Sequence, residues 1–198
     1  RICQELGLKN QKVLIPKKRA LQKLEVFVPI DFSEKVKNSL FEAGAGNIGF
    51  FDECSFSVSG TGTFRPIEGS KPFLGMQDIR ENSEEIMISV IFESYKKNQI
   101  LTAMKLAHPY EEVAYQIVQL ENDNHFLGLG RFGELDEPMN EEQFLGFVKN
   151  KFNLRAIRHS NFTNNKIKTV GVLGGSGGSG IGAAISQNCD AYLTGDLK

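Results

Sequence analysis

Three stretches of the sequence carry residues whose types and spacing could do chemistry. The densest is Gly174-Gly175-Ser176-Gly177-Gly178-Ser179-Gly180, which follows an apolar run and precedes a short helical pattern. Gly175, Gly177 and Gly180 satisfy G-x-G-x-x-G, so backbone amides there could cradle an anion at a helix start. Asp196 stands roughly 20 residues on, where a dinucleotide fold places its ribose-binding acid. A run this rich in glycine meets that pattern in several registers, so a loop lining a site of another kind is the first reading of the same residues, a structural turn the second, and cofactor binding the last. Ser176 and Ser179 do not sit in a G-x-S-x-G elbow, and no His–Asp partner accompanies them.

The second stretch, His108-Pro109-Tyr110-Glu111-Glu112, gathers an imidazole, a phenol and two carboxylates. His108 and Glu112 formally read His-x-x-x-Glu, which a helix would place on one face for metal ligation. Pro109 disfavours helix at His108, so the pair is expected on a corner where the tyrosine packs or caps. The third, Lys12, Lys17, Lys18, Arg19 and Lys23, is a basic cluster that reads as a solvated face. His125 and His159 are isolated.

The elements that position these residues follow from periodicity. Leu24, Val26 and Val28 alternate as a strand, and Asp31 or Ser33 is expected to cap a helix through Val36, Leu40 and Phe41 that Gly44 and Gly46 stop. Cys54, Phe56 and Val58 alternate again, running on to Gly60 and Gly62. A Gly- and Pro-rich surface connection is expected over 64–82. The pattern then repeats, with a strand over Ile86–Phe92, a helix face of Ile100, Leu101, Met104 and Ala107, and a strand through Val113, Tyr115 and Ile117. The order β-α-β-β-α-β predicts a ferredoxin-like plan of four antiparallel strands with two helices on one side.

Outside it, Phe126 to Leu135 reads as extended. Asn140 is expected to cap a helix whose buried stripe is Phe144, Leu145, Val148 and Phe152. Strands at 155–159 and 167–173 follow, then a helix over 181–188 and an apolar strand, a parallel α/β signature. The fold class is therefore α/β (α+β): residues 25–121 form an insert domain within a partial α/β host made of 1–24 and 122–198. Ile2, Cys3, Leu6 and Gly7 read as the end of a helix, and the chain is expected to be part of a longer protein.

With 198 residues and 40% apolar content the sequence can fill real cores. Lys plus Arg at 23 against Asp plus Glu at 24 leaves a net charge of −1, so no overall basic field favours nucleic acid. Cys3, Cys54 and Cys189 form no CxxC pair, which fits a reducing cytoplasm better than a disulfide framework. No apolar run approaches a membrane span.

Three segments together resemble the Ngg-interacting-factor-three-like dinuclear metal family, also labelled GTP cyclohydrolase 1 type 2 homologues. They are Val172-Leu-Gly-Gly-Ser-Gly177 continuing to Asp190-Ala-Tyr-Leu-Thr-Gly-Asp-Leu-Lys198, Gly128-Leu-Gly-Arg131-Phe-Gly-Glu134-Leu135, and His108-Pro-Tyr-Glu-Glu-Val-Ala-Tyr115. The resemblance implies an α/β host binding two divalent metal ions, toroidal homohexamers, and a PII/CutA-like insert adding trimer contacts. It implies hydrolysis of a small-molecule substrate, and the charge balance leads to no expectation of a nucleic-acid partner. The family's metal ligands lie in an adjacent His-His pair, a His-Thr-Asn-x-Asp stretch and a late His-x-x-x-Glu. None is present at a matching position, so no metal ligand is expected in this chain, catalytic residues stay unassigned, and the two ions are expected only in the complete protein. Gly174, Gly175, Ser176, Gly177 and Asp196 are expected to line the approach to the metal cavity. The alternatives are a PII-like sensing and oligomerisation scaffold for protein partners without catalysis, and dinucleotide binding at the glycine loop.

Overall fold

A computed structural model describes residues 1–69 and 75–197. The chain divides into two compact units, residues 18–123 and residues 1–17 with 124–198.

In the inner unit, residues 18–123, strand β2 (Leu21–Pro29) leads through a single 3-10 turn into helix α2 (Ser33–Glu42). Strands β3 (Ser55–Phe64) and β4 (Glu81–Glu93) follow, then helix α3 (Lys97–Ala107) and strand β5 (Tyr115–Gln119). The sheet order is β3-β4-β2-β5, with every neighbouring pair antiparallel. Each strand–helix–strand passage therefore joins two strands that have a third between them. Leu24, Val26 and Val28 are fully buried beside Ile88, Val90 and Phe92, and they pack on Val36 and Leu40 of α2 and Ile100 and Met104 of α3. Burying each such side chain contributes about 1.5–3 kcal/mol.

Several local expectations for this unit change. Neither Asp31 nor Ser33 caps α2 with its side chain, because the 3-10 turn intervenes and the Ser33 hydroxyl donates to Ile30 O at 2.8 Å. The connection expected over 64–82 shortens at both ends, since β3 runs through Phe64 and β4 opens at Glu81, where the two residues pair. Residues 70–74 of that connection, Pro72 among them, lie outside the described residues. Val113 precedes β5 instead of belonging to it, yet still packs on the core.

The outer unit holds helix α1 (Ile2–Glu5) and strand β1 (Lys9–Pro16), then strand β6 (Gly128–Asn140), helix α4 (Glu141–Lys151), strand β7 (Lys166–Ser176), helix α5 (Ile181–Ser186) and strand β8 (Ala191–Asp196). Its sheet runs β1-β6-β7-β8, antiparallel except for the parallel pair β7/β8. Phe144 and Val148 of α4 pack with Cys3 and Leu6 on Leu135, Val170 and Val172. Asn140 caps α4 as expected. Its side chain accepts the Gln143 N–H at 2.9 Å while Gln143 Oε1 accepts the Asn140 N–H at 3.2 Å, a reciprocal capping box.

Residues 155–159, expected as a strand, belong to none. Of this polar stretch, Ile157 is the residue that packs on the core, and one apolar side chain supplies no strand face. The segment is held instead from its far end, where the Glu141 carboxylate accepts the Thr163 and Asn164 N–H groups, each at 2.9 Å. The helix expected over 181–188 stops at Ser186, and Asn188 turns into the left-handed region at φ 51°. Among the described residues no helix is long and apolar enough to cross a membrane.

Candidate functional site

The exposed end of the parallel pair gathers the glycine-loop residues. β7 continues past Leu173 through Gly174 and Gly175, and a register shift then sets Ser176 opposite Asp196. Gly174, Gly175, Ser176 and Asp196 are exposed, whereas Gly177 is buried. Ends of parallel strands are where open α/β sheets bind ligands, since the chain turns away there and leaves a crevice. Gly175 holds φ 77° with no atom near its missing Cβ, so its glycine serves the turn.

Gly177 and Gly180 serve close packing. A Cβ on Gly177 would strike Thr194 Oγ1, and one on Gly180 would strike the Tyr192 hydroxyl. Both partners are fastened to the loop: Tyr192 donates to Gly177 O at 2.8 Å and Thr194 to Gly175 O at 3.0 Å. These bonds lock the loop onto β8, the strand that carries Asp196.

This packing argues against dinucleotide binding. The amides that would face a pyrophosphate are already taken, Gly177 N–H by Asp196 O and Gly180 N–H by Gly177 O, each at 2.9 Å. The helix that follows has only six residues and offers little dipole. Dense glycine satisfied the motif, while Gly175 is required by the turn and Gly177 and Gly180 by Thr194 and Tyr192.

Asp190 sets the register of this end. Its carboxylate accepts the Lys168 and Thr169 N–H groups at 2.9 and 2.8 Å, fixing the start of β8 against the start of β7. Sequence reasoning passed it over, although an aspartate just ahead of a strand and after a helix is a frequent backbone-capping residue.

In the inner unit, His108, Ser83 and Glu85 are buried. Pro109 ends α3 at Ala107 and leaves His108 extended, with φ −74° and ψ 140°. The imidazole accepts the Tyr110 N–H at Nδ1 (3.1 Å), so Nε2 carries the proton and donates to Phe27 O at 2.9 Å. Burial lowers the His108 pKa, opposed by the bond to Phe27 and by the charge of Glu85. Both ring nitrogens are occupied and Glu112 is exposed, so the formal His-x-x-x-Glu spacing makes no metal site.

The Tyr110 hydroxyl donates to Glu85 Oε1 at 3.2 Å. With its single proton so used, it accepts from the Ser83 hydroxyl, also at 3.2 Å. Burial raises the Tyr110 pKa, and the charge of Glu85 raises it further. Sequence reasoning found His108 and Tyr110 and missed Glu85, which reads as one more polar position on an alternating strand.

Of the basic cluster, Lys23 pairs with Glu25 at 2.6 Å, Lys18 with Asp123 at 3.2 Å and Arg19 with Glu121 at 3.8 Å. That is a solvated, compensated surface. Among the described residues no group of three or more His, Cys, Asp or Glu side chains could hold a metal ion.

The family model for Duf34/NIF3 (NGG1p interacting factor 3) matches residues 1–198. A protein of Halalkalibacterium halodurans named GTP cyclohydrolase 1 type 2 homolog is 42% identical over 197 residues, covering 99% of this chain and 53% of its own length. A Bacillus subtilis protein of the same name is 38% identical over 197 residues, with the same coverage of 99% and 53%. The crystal structure of a Bacillus cereus protein related to NIF3 superposes with a TM-score of 0.84 at 39% identity, covering 100% of this chain and 52% of that one. The chain thus spans about half the length of the curated relatives it matches.

Proposed function

The chain belongs to the Duf34/NIF3 family, and on that premise we propose that it is part of a dinuclear metal-binding, hydrolase-like protein acting on a small molecule. Gly174, Gly175, Ser176, Gly177 and Asp196 line the approach to the metal pair, and the inner unit serves assembly or regulation of a cytoplasmic homo-oligomer. The observation that supports this is the pairing of Ser176 with Asp196 at the exposed end of the parallel strands, held by Tyr192, Thr194 and Asp190.

The donor set here does not by itself fit a metal pair, since among the described residues no three ligating side chains converge. The ligands are therefore assigned to the half of the relatives' length that this chain does not span. A metal pair polarises a substrate oxygen and activates water. What this chain adds is local: Ser176 offers a hydroxyl that both donates and accepts, Asp196 an acceptor for a water or a ligating group, and Gly174–Gly175 a backbone without side chains that a substrate can approach closely.

The test is metal content by mass spectrometry on the full-length protein, alongside its mass in solution by light scattering. Two divalent ions per chain and a hexamer are expected. Asp196→Asn is expected to weaken metal affinity or turnover about 10–100-fold while leaving the hexamer intact, as loss of a supporting carboxylate does. Full-length protein purified in metal-supplemented medium with less than one ion per chain would defeat the reading.

A further inference from the structure

The open face of the inner sheet carries a second site, unrelated to the glycine loop. On β3, β4 and β2 the cross-strand rows Val58–Met87–Phe27 and Gly60–Glu85–Pro29 lie side by side, with Gly62–Ser83 next along β3 and β4. Two glycines in one strand, both on this face, leave a trough where side chains would stand. The resulting cleft is open, has a volume of about 270 Å³, and is lined by Phe27, Val58 and Met87 on one side and by Gly60, Gly62 and Glu85 on the other.

Glu85 makes this trough more than a gap. The residue is only 8% exposed, yet it lines the cleft. Its hydrogen-bond partner is the Tyr110 hydroxyl on Oε1, while Oε2 lies against the Gly62 backbone where a Cβ would collide with it. Among the described residues no Lys, Arg or His forms an ion pair with Glu85. Glutamates are rarely this buried without a positive charge to meet them, and here the carboxylate lines an open cleft.

We propose that this trough binds a small organic cation, a protonated amine carried on an apolar body. The ammonium group meets the Glu85 carboxylate across the gap left by Gly60 and Gly62, and the body lies on Phe27, Val58 and Met87. Tyr110, fixed through the His108 corner, holds the carboxylate in place by its bond to Oε1. The site is smaller than the usual drug-sized pocket, which limits the ligand to a compact amine. A bare metal ion is the poorer occupant, because one carboxylate supplies too few oxygens for a divalent cation. The assignment stands whether or not the outer unit takes part in metal chemistry.

The experiment is isothermal titration of the whole chain with 2-phenylethylammonium, and with 3-phenylpropionate as a probe of similar shape and opposite charge. Saturable binding of the amine and none of the acid is expected. Glu85→Gln keeps an acceptor for the Tyr110 hydroxyl but loses the charge, and should weaken amine binding at least tenfold. Gly60→Leu should do the same by filling the trough, into which the Cβ position at Gly60 opens with nothing within 4 Å. Unfolding midpoints of both variants show that the sheet persists, and if Glu85→Gln does not fold, Gly60→Leu decides alone. No saturable heat up to about 10 mM amine, equal binding of the acid, or undiminished binding by Gly60→Leu overturns the proposal.

Discussion

His108 donates from Nε2 to the main-chain oxygen of Phe27 at 2.9 Å, tying the end of α3 to the middle of β2. The second contact of the ring, the Tyr110 N–H on Nδ1, needs the neutral imidazole, because Nδ1 must stay bare to accept it. Burial depresses the His108 pKa below the ordinary value of about 6.5. The sign follows: below that value the unfolded chain binds a proton that the folded chain refuses, so stability rises with pH there. The contribution is complete above about pH 6.5 and is lost as pH falls through the folded value. Urea unfolding across this range should show a slope that His108→Ala removes, on top of a loss of roughly 1–3 kcal/mol for stranding two buried partners. An equal slope in the variant would assign the effect elsewhere.

The glycine loop makes a contrast among neighbouring residues. Gly177→Ala drives a Cβ into Thr194 Oγ1, and Gly180→Ala drives one into the Tyr192 hydroxyl. Each should cost about 1–3 kcal/mol, as overpacking does. Gly182, inside α5 with nothing within 4 Å of its Cβ position, should gain up to about 1 kcal/mol on change to alanine. Thermal unfolding of the three variants checks the order. If the loop acted only as a flexible phosphate cradle, all three would behave alike.

Glu141 accepts Thr163 N–H, Thr163 Oγ1–H and Asn164 N–H, with the two Thr163 contacts to Oε1 both at 2.9 Å. The Thr163 backbone bond is the main cause that lowers its pKa, reinforced by the Thr163 hydroxyl and the Asn164 amide. A depressed carboxyl value means that the ordered 163–164 turn is fully held above the ordinary glutamate range. It loosens as pH falls through the folded value. Protection of the Thr163 and Asn164 amides, relative to the unstructured rate at the same pH, should therefore fall in Glu141→Gln at neutral pH and in the wild type under acid, with the protection of the core amide of Val170 unmoved. Unchanged exchange in the variant would mean that the carboxylate does not order the turn.

How far the sequence alone carries can be seen residue by residue. Alternation at Leu24, Val26 and Val28, the Asn140 cap and the break at Pro109 were all legible, since each is settled within a few residues. β1 was not, because Lys9–Lys12 are polar and Val13, Leu14 and Ile15 run together without alternation. Its state is decided by pairing with β6, over 100 residues away in sequence, where Val13 meets Arg131. Glu85 and Tyr110 were separated for the same reason: their hydrogen bond exists only once β4 has its register in the sheet and the His108 corner has turned. The glycines at 174–180 were visible, but the reason for Gly177 and Gly180 lay in Tyr192 and Thr194.

Asp190 offers the most direct test of how the fold builds the Ser176–Asp196 end. Its carboxylate holds the Lys168 and Thr169 amides, and the Asp190 N–H donates in turn to Thr169 O at 2.8 Å, so both strands enter the sheet in a fixed register. That register, carried along Val170–Ala191 and Val172–Leu193, brings Ser176 opposite Asp196. Asp190→Ala should cost about 1 kcal/mol, discounted because the side chain is exposed. It should also broaden or shift the amide resonances of Gly175 to Gly177 at the far end of β7, whereas Asp190→Asn, which keeps one acceptor oxygen, should move them less. Shifts confined to Lys168 and Thr169 in both variants would show that the loop holds its place through Tyr192 and Thr194 alone.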